Sequence, residues 1–541
     1  MYDYVIVGAG GAGCVLAARL SEDPGVRVLL LEAGPADDAL EIRMPAGFPG
    51  LVKGPYDWGY QTTPQPHAGG RRLHWARGRT LGGSTSTGAM TYLRGNPADY
   101  DTWRDEHGCE GWGYDDVLPY FTRAEDQQRG PSPFHGGGGP LRVEDLRYKS
   151  PIVRAWIEAA RRTGLAANHD FNGPIQDGVG FYQVNQLRGR RWSAADGYLR
   201  PALGRPNLTV LTGALATRIV VAGGRATGVG YLRNGAEHLA GAEREVLVSG
   251  GAVNSPQLLM LSGIGPAAQL REHGIDVLVD APVGEGLVDQ PSLAMMWHTP
   301  VTRNLWEGRT TANLALWRSL GRGPLASNLA EGGGFTRSDR GADAPDLQYH
   351  VMAGPHTRHG LGIPSIRTVS VLITPLVVAS RGRVTLRSAD PRWRPAVDPS
   401  YLAEDGDMEL LLHGIGQARQ IAGQQPLARL VAGESAPGEQ LAGETGLRAW
   451  IRERSGAAGT PAGTCAMGAA ESAVCDPHLR VRGVDGLRVV DASVLPHVPR
   501  GGTDAPTVML AERAADLIRG VPSGPSGRRS PQLAADGPAP A

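Results

Sequence analysis

The 541-residue chain lacks the features that would point to a metal, a membrane or a nucleic acid. Its four cysteines form no CxxC pair, so a zinc site is not expected. The longest apolar run, residues 369–379, is too short to span a bilayer, so we expect no stable membrane insertion. The net charge is zero, which gives no electrostatic reason to bind nucleic acid. The remaining expectation is a protein that acts on a small molecule in the reducing cytoplasm, with free thiols. Its oligomeric state stays open.

What the chain does contain begins at its first residues, which follow the order strand, glycine turn, helix, strand, acid. Residues 2–7 (YDYVIV) are β-branched and apolar and predict a buried strand. Residues 14–20 predict a helix, and residues 26–31 predict a second buried strand that ends in Glu32. This order is typical of the first unit of a dinucleotide-binding fold.

The glycines between the first strand and the helix have separate tasks in such a fold. Gly8 permits the tight turn, Gly10 lets the backbone approach a pyrophosphate, and Gly13 lets helix and strand pack closely. The helix N-terminus supplies free N–H groups for the phosphates. Glu32, 22 residues after Gly10, can accept hydrogen bonds from a ribose. The motif predicts a dinucleotide but does not separate NAD from FAD.

Three further motifs separate the two cofactors. They are RGRTLGGSTS at residues 77–86, GAVNSPQLL at residues 251–259 and LRVVDAS at residues 487–493. Together with Glu32-Ala33-Gly34 they resemble the glucose–methanol–choline (GMC) oxidoreductases, which use FAD, and the resemblance covers nearly the whole chain. It implies an α/β fold with a Rossmann-like FAD-binding domain and an α+β substrate domain built on an antiparallel sheet.

The resemblance also implies a discontinuous domain organisation. Residues 1–295 are expected to form the FAD-binding domain with inserted segments, and residues 296–454 the substrate-binding domain. Residues 455–519 are expected to return into the FAD-binding domain. Residues 408–423 predict a helix over the sheet of the substrate domain. Residues 521–541 are rich in Pro, Gly, Ser and Ala and are predicted to be a disordered tail.

The residues expected to bind FAD follow from the glycine pattern and from the resemblance. Gly82 and Gly83 let backbone N–H groups reach the diphosphate and the flavin. Asp491 ends an apolar strand and is placed to meet the ribityl chain or diphosphate, to cap a helix, or to do both. A His used for covalent attachment in some relatives is Thr87 here, so FAD should be non-covalent. The full set is Gly8, Gly10, Gly11, Gly13, Glu32, Ala33, Arg77, Leu81, Gly82, Gly83, Ser84, Gly88, Ala89, Met90, Asp491, Ala492, Gly502 and Thr503.

At the two positions where the family keeps its catalytic side chains, this chain has Thr460 and Gly502. In the family a His precedes a Pro-x-Gly-Thr-Cys stretch, and the residue before that stretch here is Thr460. The second position, usually His or Asn, lies before the Ala-Pro-Thr of the last helix and is Gly502 here. One positioned proton-transfer group contributes about 10²–10⁴-fold in rate. We therefore expect ordinary alcohol oxidation to be impaired unless another group has taken over.

Several residues are candidates for the missing chemistry. Thr460 can donate a hydrogen bond, Arg500 suits an anion, and His497 and Asp504 are titratable. Each also has a structural interpretation as a loop or helix-cap residue, and Asp504 stands in an ordinary N-cap place. Gly459 replaces an aromatic residue of the family, so the site should be roomier and should accept a bulkier substrate.

The histidines at positions 350, 356 and 359 do not form a convincing metal set. His356 and His359 have i, i+3 spacing, but Gly354, Pro355 and Gly360 argue against a helix there. We interpret these histidines as loop or packing residues.

Three functions stay open at this point. The first is an FAD-dependent oxidoreductase that acts on a CH–OH or related donor by hydride transfer, with a bulky substrate and a non-standard base. The second is a flavin-bound enzyme without net redox turnover, such as a lyase, isomerase, cyclase or photodecarboxylase. The third is a non-catalytic FAD-binding protein.

Overall fold

The computed structural model describes residues 1–300, 308–339, 341–356 and 367–521. Two seven-stranded sheets organise these residues. The predicted tail, apart from Val521, lies outside the described residues.

The first seven-stranded sheet, here the N-terminal sheet, is parallel at its centre. Tyr2–Val7 pairs with Val28–Leu31 on one side and with the end of Ala236–Val248 on the other. These central strands are almost wholly buried, as expected for parallel strands covered on both faces. The parallel strands, in spatial order, are Leu208–Leu211, Val28–Leu31, Tyr2–Val7, Ala236–Val248 and Leu487–Val489. The strands predicted at residues 2–7 and 26–31 are thereby confirmed.

The beginning of Ala236–Val248 belongs to an antiparallel extension of the same sheet. It pairs with Arg225–Arg233, which pairs in turn with Leu215–Ala222. One long strand therefore serves both the parallel centre and the antiparallel extension.

Helix Gly11–Leu20 follows the first strand and packs against the last helix, Asp504–Arg519. Helix Tyr114–Ala124 also packs against Asp504–Arg519. The two ends of the chain are thus joined in the layer beside the N-terminal sheet.

The second seven-stranded sheet, here the antiparallel sheet, is formed mainly by the later part of the chain. Its strands, in spatial order, are Gly433–Ala436, Pro291–His298, Thr368–Pro375, Leu347–Met352, Ala330–Thr336 and Gly178–Phe181, with Gly456–Ala457 paired to Pro291–His298. All neighbouring strands in it are antiparallel. The predicted α/β fold with an antiparallel substrate-domain sheet is confirmed.

This sheet draws strands from both sides of the predicted segment 296–454. Gly178–Phe181 comes from the N-terminal region, Pro291–His298 begins before residue 296, and Gly456–Ala457 lies after residue 454. The sheet is therefore assembled from more of the chain than that segment, and the domain boundaries stay a prediction.

Helices cover one face of the antiparallel sheet. Asp405–Ala422, predicted at residues 408–423, packs on Thr368–Pro375, and Pro151–Arg162 packs on Ala330–Thr336. No helix within the described residues is long and apolar enough to cross a membrane. The other helices of six residues or more are Pro45–Leu51 (a 3₁₀-helix), Pro97–Asp105, Gly251–Leu261, Ala267–Glu272, Thr311–Leu320 and Glu444–Arg454.

Candidate functional site

Two adjoining cavities lie between the N-terminal sheet and the antiparallel sheet. The first cavity is lined by the glycine turn at Gly8 to Gly11, by Glu32 and by Asp491. The second cavity is lined by one face of the antiparallel sheet and by residues 457–460 and 501–504. The two cavities share the lining residues Arg77, Ser84, Thr503 and Asp504.

The glycine turn of the first cavity has the geometry that a phosphate-binding turn needs. A Cβ on Gly10 would meet no heavy atom within 4 Å, so the backbone there faces open space. Gly8 has φ +98° and Gly13 packs so closely that a Cβ on it would lie 1.8 Å from Gly8 O. Helix Gly11–Leu20 starts here with no side-chain cap and no acidic residue in its first turn. Its first N–H groups are therefore free for an anionic group.

Glu32 is hydrogen-bonded to the backbone of this turn. Its carboxylate accepts hydrogen bonds from Ala9 N at 2.9 Å and from Gly34 N at 2.7 Å. Burial raises the pKa of Glu32 to about 7, and these two backbone donors lower it in part. The carboxyl group lines the first cavity, where a ribose hydroxyl could reach it.

Asp491 both caps a helix and lines the first cavity. Its Oδ1 accepts from Ser493 N at 2.8 Å, at the start of the short 3₁₀-helix Ala492–Val494. Its Oδ2 accepts from Gly251 N at 2.8 Å and from Ser255 Oγ. Burial raises the pKa of Asp491 above its usual range. The helix-cap interpretation therefore applies, and the contact with FAD stays a prediction.

The residues of the first cavity fit FAD. The uncapped helix start and the open space at Gly10 suit a diphosphate, Glu32 suits a ribose, and the adjoining second cavity leaves room beyond the junction at Arg77 and Thr503. The donor set contains no metal-binding group of three or more His, Cys, Asp or Glu among the described residues.

The predicted FAD residues fall into three groups in the structure. The first cavity is lined by Gly8, Gly10, Gly11, Glu32, Ala33, Arg77, Gly83, Ser84, Asp491, Ala492 and Thr503. The second cavity is lined by Gly88, Ala89, Met90 and Gly502, besides the shared residues. Within the described residues, Gly13, Leu81 and Gly82 line neither cavity and pack behind the turn. Gly82 N, for example, donates to Ala9 O at 2.7 Å.

Other residues of the first cavity were not predicted. Trp58, Gln257 and Pro391 line it, together with residues 249–254. The run of residues 249–254 follows directly after the buried strand Ala236–Val248, and residues 251–254 and Gln257 belong to the motif at residues 251–259, which was the signal for them. Trp58 and Pro391 stand in no local motif.

The second cavity has a volume of about 360 Å³, which is in the range of small-molecule sites. Its walls contain both titratable and apolar side chains. The titratable side chains that line it, within the described parts of the chain, are Arg77, His350, His356 and Asp504. Apolar residues such as Phe48, Leu329, Met352 and Leu372 line much of the rest.

Thr460 and Gly502, the two family catalytic positions, lie side by side in this cavity. A Cβ on Gly502 would lie 3.4 Å from Thr460 Cγ2. Thr460 Oγ1 lies 3.1 Å from both Asp289 Oδ1 and Gln290 Oε1, and both of these atoms are acceptors. The single hydroxyl hydrogen of Thr460 is therefore used inside the protein, and toward a ligand Thr460 can only accept. Donation from Thr460 to a substrate would require the loss of these internal bonds, and it stays a prediction.

The backbone at this place also differs from one that a larger residue would adopt. Gly459 has φ +81° and Gly502 has φ +104°. Residues with a Cβ rarely adopt such values. Arg77 Nη2 donates to Gly459 O at 2.6 Å and would lie 3.0 Å from a Cβ on that glycine. Backbone and neighbours are thus adapted to glycine at both positions.

Asp504 lies at the junction of the two cavities. It is the first residue of helix Asp504–Arg519, and Thr503 is the N-cap, so the predicted N-cap place is one residue too late. The side chain is exposed toward the cavities although it lies deep in the molecule. Removal from bulk water raises the pKa of Asp504, while Arg77 and Arg191 oppose this rise.

The structure brings neither His497 nor Arg500 to the lining of the cavities. The ring of His497 packs 5.9 Å from that of Trp103, and burial lowers the pKa of His497 to about 3. Arg500 Nη1 bonds the buried carboxylate of Asp99, and its Nε donates to Pro345 O at 2.7 Å. Asp99 holds the guanidinium away from the cavities, so the positions of both residues fit the structural interpretation that the sequence also allowed.

His350 and His356, by contrast, line the second cavity, where the sequence predicted loop or packing residues. His350 lies in strand Leu347–Met352 rather than in a loop. His356 follows the strand, and its backbone N donates to Ser370 Oγ at 2.9 Å. His359 lies outside the described residues. The alternation of strand residues was the signal that could have indicated a cavity-facing His350.

Comparison with known proteins assigns the sequence segments that line the two cavities to one family. The sequence model described as the N-terminal domain of GMC oxidoreductase matches residues 2–292, and the C-terminal model matches residues 378–511. An alcohol dehydrogenase [acceptor] of Pseudomonas putida is 42% identical over 528 residues, which is 96% of each chain. The mitochondrial choline dehydrogenase of Homo sapiens is 41% identical over 539 residues, covering 96% of this chain and 90% of that protein.

Solved structures agree. Pyridoxine 4-oxidase from Mesorbium loti superposes with a TM-score of 0.89 at 33% identity, covering 96% of this chain and 99% of that one. A formate oxidase superposes with a TM-score of 0.89 at 28% identity, covering 96% of this chain and 98% of that one.

Proposed function

This chain belongs to the GMC family of FAD-dependent oxidoreductases that act on CH–OH donors, and we propose that it oxidises a bulky alcohol with a non-standard base. The observation that carries the proposal is the joined pair of cavities, the second of which has no imidazole at positions 460 and 502. Thr460 and Gly502 stand there instead, and Gly459 and Gly502, which also line the second cavity, carry no side chain.

The residues of the first cavity would hold FAD by contacting the charged and polar parts of the cofactor. The free N–H groups at the start of helix Gly11–Leu20 would bind the diphosphate, and Glu32 would accept from the ribose. Bound FAD supplies a two-electron acceptor for the hydride equivalent of the donor. We propose that FAD is non-covalent, because Thr87 carries no ring nitrogen for a covalent bond.

The residues of the second cavity would orient the donor. Thr460 Oγ1, whose hydrogen is used by Asp289 or Gln290, would accept a hydrogen bond from a donor group of the substrate other than the reacting hydroxyl. Arg77 and Asp504 would set the polarity at the junction. The apolar walls would exclude water from the reacting carbon. We also propose a reducing, cytoplasmic location, which the four buried free thiols support.

The visible spectrum of the purified holoenzyme tests this function. It is recorded before and after anaerobic mixing with straight-chain alcohols of four to twelve carbons, benzyl alcohol, 4-methoxybenzyl alcohol and choline. Bleaching of the oxidised flavin band by a large alcohol, faster than by the smallest ones, is the expected result. Dithionite added afterwards serves as the control, because it shows that the flavin can be reduced at all.

A flavin band that bleaches with dithionite but with no alcohol of the panel would contradict the proposal. It would favour the alternative of a flavin-bound enzyme without net redox turnover. A preparation without FAD after loading would contradict the assignment of the first cavity.

A further inference from the structure

We propose that His350 is the residue of this chain that accepts the hydroxyl proton of the donor. This role rests on the proposed oxidation and adds a catalytic residue to it. The position where the family has its catalytic His is Thr460 in this chain, so the proton must go to another group that faces the same cavity.

The strand pattern of the antiparallel sheet directs His350 into the second cavity. Gln348, His350 and Met352 alternate along Leu347–Met352, and all three line the cavity. On the neighbouring strand, Leu372 lies opposite His350 and Thr374 lies opposite Gln348, and both also line it. One face of the sheet is therefore a cavity wall, with His350 near its middle.

The other described histidines with well-defined partners are used inside the protein. His74 Nε2 pairs with Asp57 at 2.9 Å. His135 is held between Glu125 at 3.0 Å and Asp170 at 2.8 Å. His497 packs against Trp103. These rings hold structure together and face no open space.

His350 has a different environment. Its Nε2 lies 3.4 Å from Gln348 Nε2, and its ring lies 5.1 Å from that of Tyr182. Tyr182 is itself occupied, because its hydroxyl donates to Tyr349 O at 2.6 Å. No charged group among the described residues shifts the pKa of His350, which burial alone lowers to about 4. The ring is therefore neutral at pH 7, and its Nε2 lone pair accepts a long hydrogen bond from Gln348, which a substrate hydroxyl would replace.

Asp504 is the competing base in the cavity. It lies at the N-terminus of helix Asp504–Arg519, where the helix dipole stabilises an anion. Arg77 and Arg191 add positive charge, but burial outweighs them and raises the pKa of Asp504. The pKa therefore does not exclude Asp504, and Asp504→Asn accompanies His350→Gln in the test. His356 also lines the cavity, so its variant accompanies that of His350 in the test.

The step balances in atoms and electrons. The O–H bond of the donor breaks and its proton forms an N–H bond on the imidazole of His350, which becomes imidazolium. The C–H bond would break and its hydrogen would leave with both electrons, for which FAD held in the first cavity would supply the two-electron acceptor. The carbon is oxidised by two electrons to a carbonyl, and the imidazolium later releases its proton to water in the cavity.

Chemical modification tests the position of His350 without any need for turnover. Diethyl pyrocarbonate carbethoxylates neutral imidazoles, forming an N–C bond and releasing ethanol and carbon dioxide. At pH 5.0 only about 3% of an ordinary histidine is neutral, whereas His350 stays mostly neutral. We expect peptide mass spectrometry of the holoenzyme at pH 5.0 to find His350 labelled ahead of exposed His413.

Substitution then tests the catalytic role. His350→Gln should lower the rate of flavin bleaching by the best alcohol of the panel by about 10²–10⁴-fold, with FAD content unchanged. His350→Ala should recover part of the rate when imidazole is added. His413→Gln, which changes an exposed histidine on helix Asp405–Ala422, is the matched control and should leave the rate unchanged.

Each contrary result has its own meaning. An unlabelled His350 at pH 5.0 would overturn the inference, since the ring would not face the cavity as a neutral base. Equal bleaching of wild type and His350→Gln would overturn it as well, and a loss in His356→Gln or Asp504→Asn alone would move the role to His356 or Asp504. A wild type that no alcohol bleaches would overturn the proposed function, and with it the proton transfer, even where His350 is labelled.

Discussion

Gly10 and Gly13 in the first turn are needed for opposite reasons. A Cβ on Gly10 would project into open cavity space, whereas a Cβ on Gly13 would lie 1.8 Å from Gly8 O. The first position therefore concerns the ligand, and the second concerns the packing of the helix on the strand. The same short motif thus combines binding and folding in separate residues.

Two alanine variants should separate these effects. Gly10→Ala is expected to weaken FAD binding at least about tenfold and to leave the apoprotein as stable as before, because its φ of −71° suits alanine. Gly13→Ala is expected to lower the free energy of unfolding by about 3 kcal/mol, since overpacking against a backbone oxygen cannot relax easily. Fluorescence titration of the apoprotein with FAD and urea unfolding measure the two quantities. Equal affinity in Gly10→Ala and wild type would contradict the placement of the diphosphate.

The candidate base shows the limit of prediction from single residues. Thr460 and Gly502 were identified because they interrupt recognisable motifs. His350 stands in no motif, and the glycines and proline that follow it indicated a loop. Only the pairing of Leu347–Met352 with Thr368–Pro375 decides that His350 faces a cavity. A shift of one residue in that register would turn the ring to the other face.

At the level of elements, one buried carboxylate joins three helices. Glu512 of helix Asp504–Arg519 accepts from Arg19 of Gly11–Leu20 at 2.8 Å and pairs with Arg123 of Tyr114–Ala124 at 2.7 Å. The hydroxyl of Tyr198 also donates to Glu512, at 2.7 Å. The side chain of Glu512 is fully buried, so its charge depends on these partners.

Removing this charge should be costly. Glu512→Gln is expected to lower the free energy of unfolding by about 3 kcal/mol, because one change leaves two guanidinium groups without their buried carboxylate. Glu22→Gln is the matched control, since Glu22 also pairs with Arg19 but is 39% exposed, and its loss should stay within about 1 kcal/mol. Urea unfolding of both variants gives the comparison. Similar losses in the two would mean that burial does not strengthen the Glu512 network.

Elements with strong local patterns were predicted well. The strand Tyr2–Val7 and the helix Asp405–Ala422 lie where the periodicity placed them, within three residues at either end. The start of the last helix was one residue off, because Thr503 and Asp504 are both good residues for a helix start and only the backbone decides between them.

At the level of the whole molecule, the first cavity is built from both ends of the chain. Its lining runs from Val7 and the glycine turn to Asp491 and Thr507, and the antiparallel sheet lies beyond the junction. A ligand in this cavity therefore contacts segments that are far apart in sequence. Its binding should stabilise the folded arrangement of all of them.

Removal of FAD is expected to lower the stability of the protein measurably. A ligand at 100 times its Kd stabilises the native state by about 2.7 kcal/mol. We expect the apoprotein to unfold at a lower temperature than the holoenzyme and to regain the difference when FAD is added. Differential scanning calorimetry at several FAD concentrations tests this. An unfolding temperature that does not depend on FAD would contradict a site that joins the two ends of the chain.

The sequence by itself determined the family, the fold and the cofactor, because each depends on short motifs whose residues act on their neighbours. The turn at Gly8 to Gly13 needs only a strand and a helix beside it. Only the tertiary structure decided which side chains line the second cavity. The contact with Asp99 holds Arg500 away from the cavities. Asp289 accepts the hydroxyl hydrogen of Thr460, so Thr460 can act as an acceptor toward a ligand. Strand pairing places His350 at the second cavity. These outcomes depend on partners many residues away, which no local pattern contains.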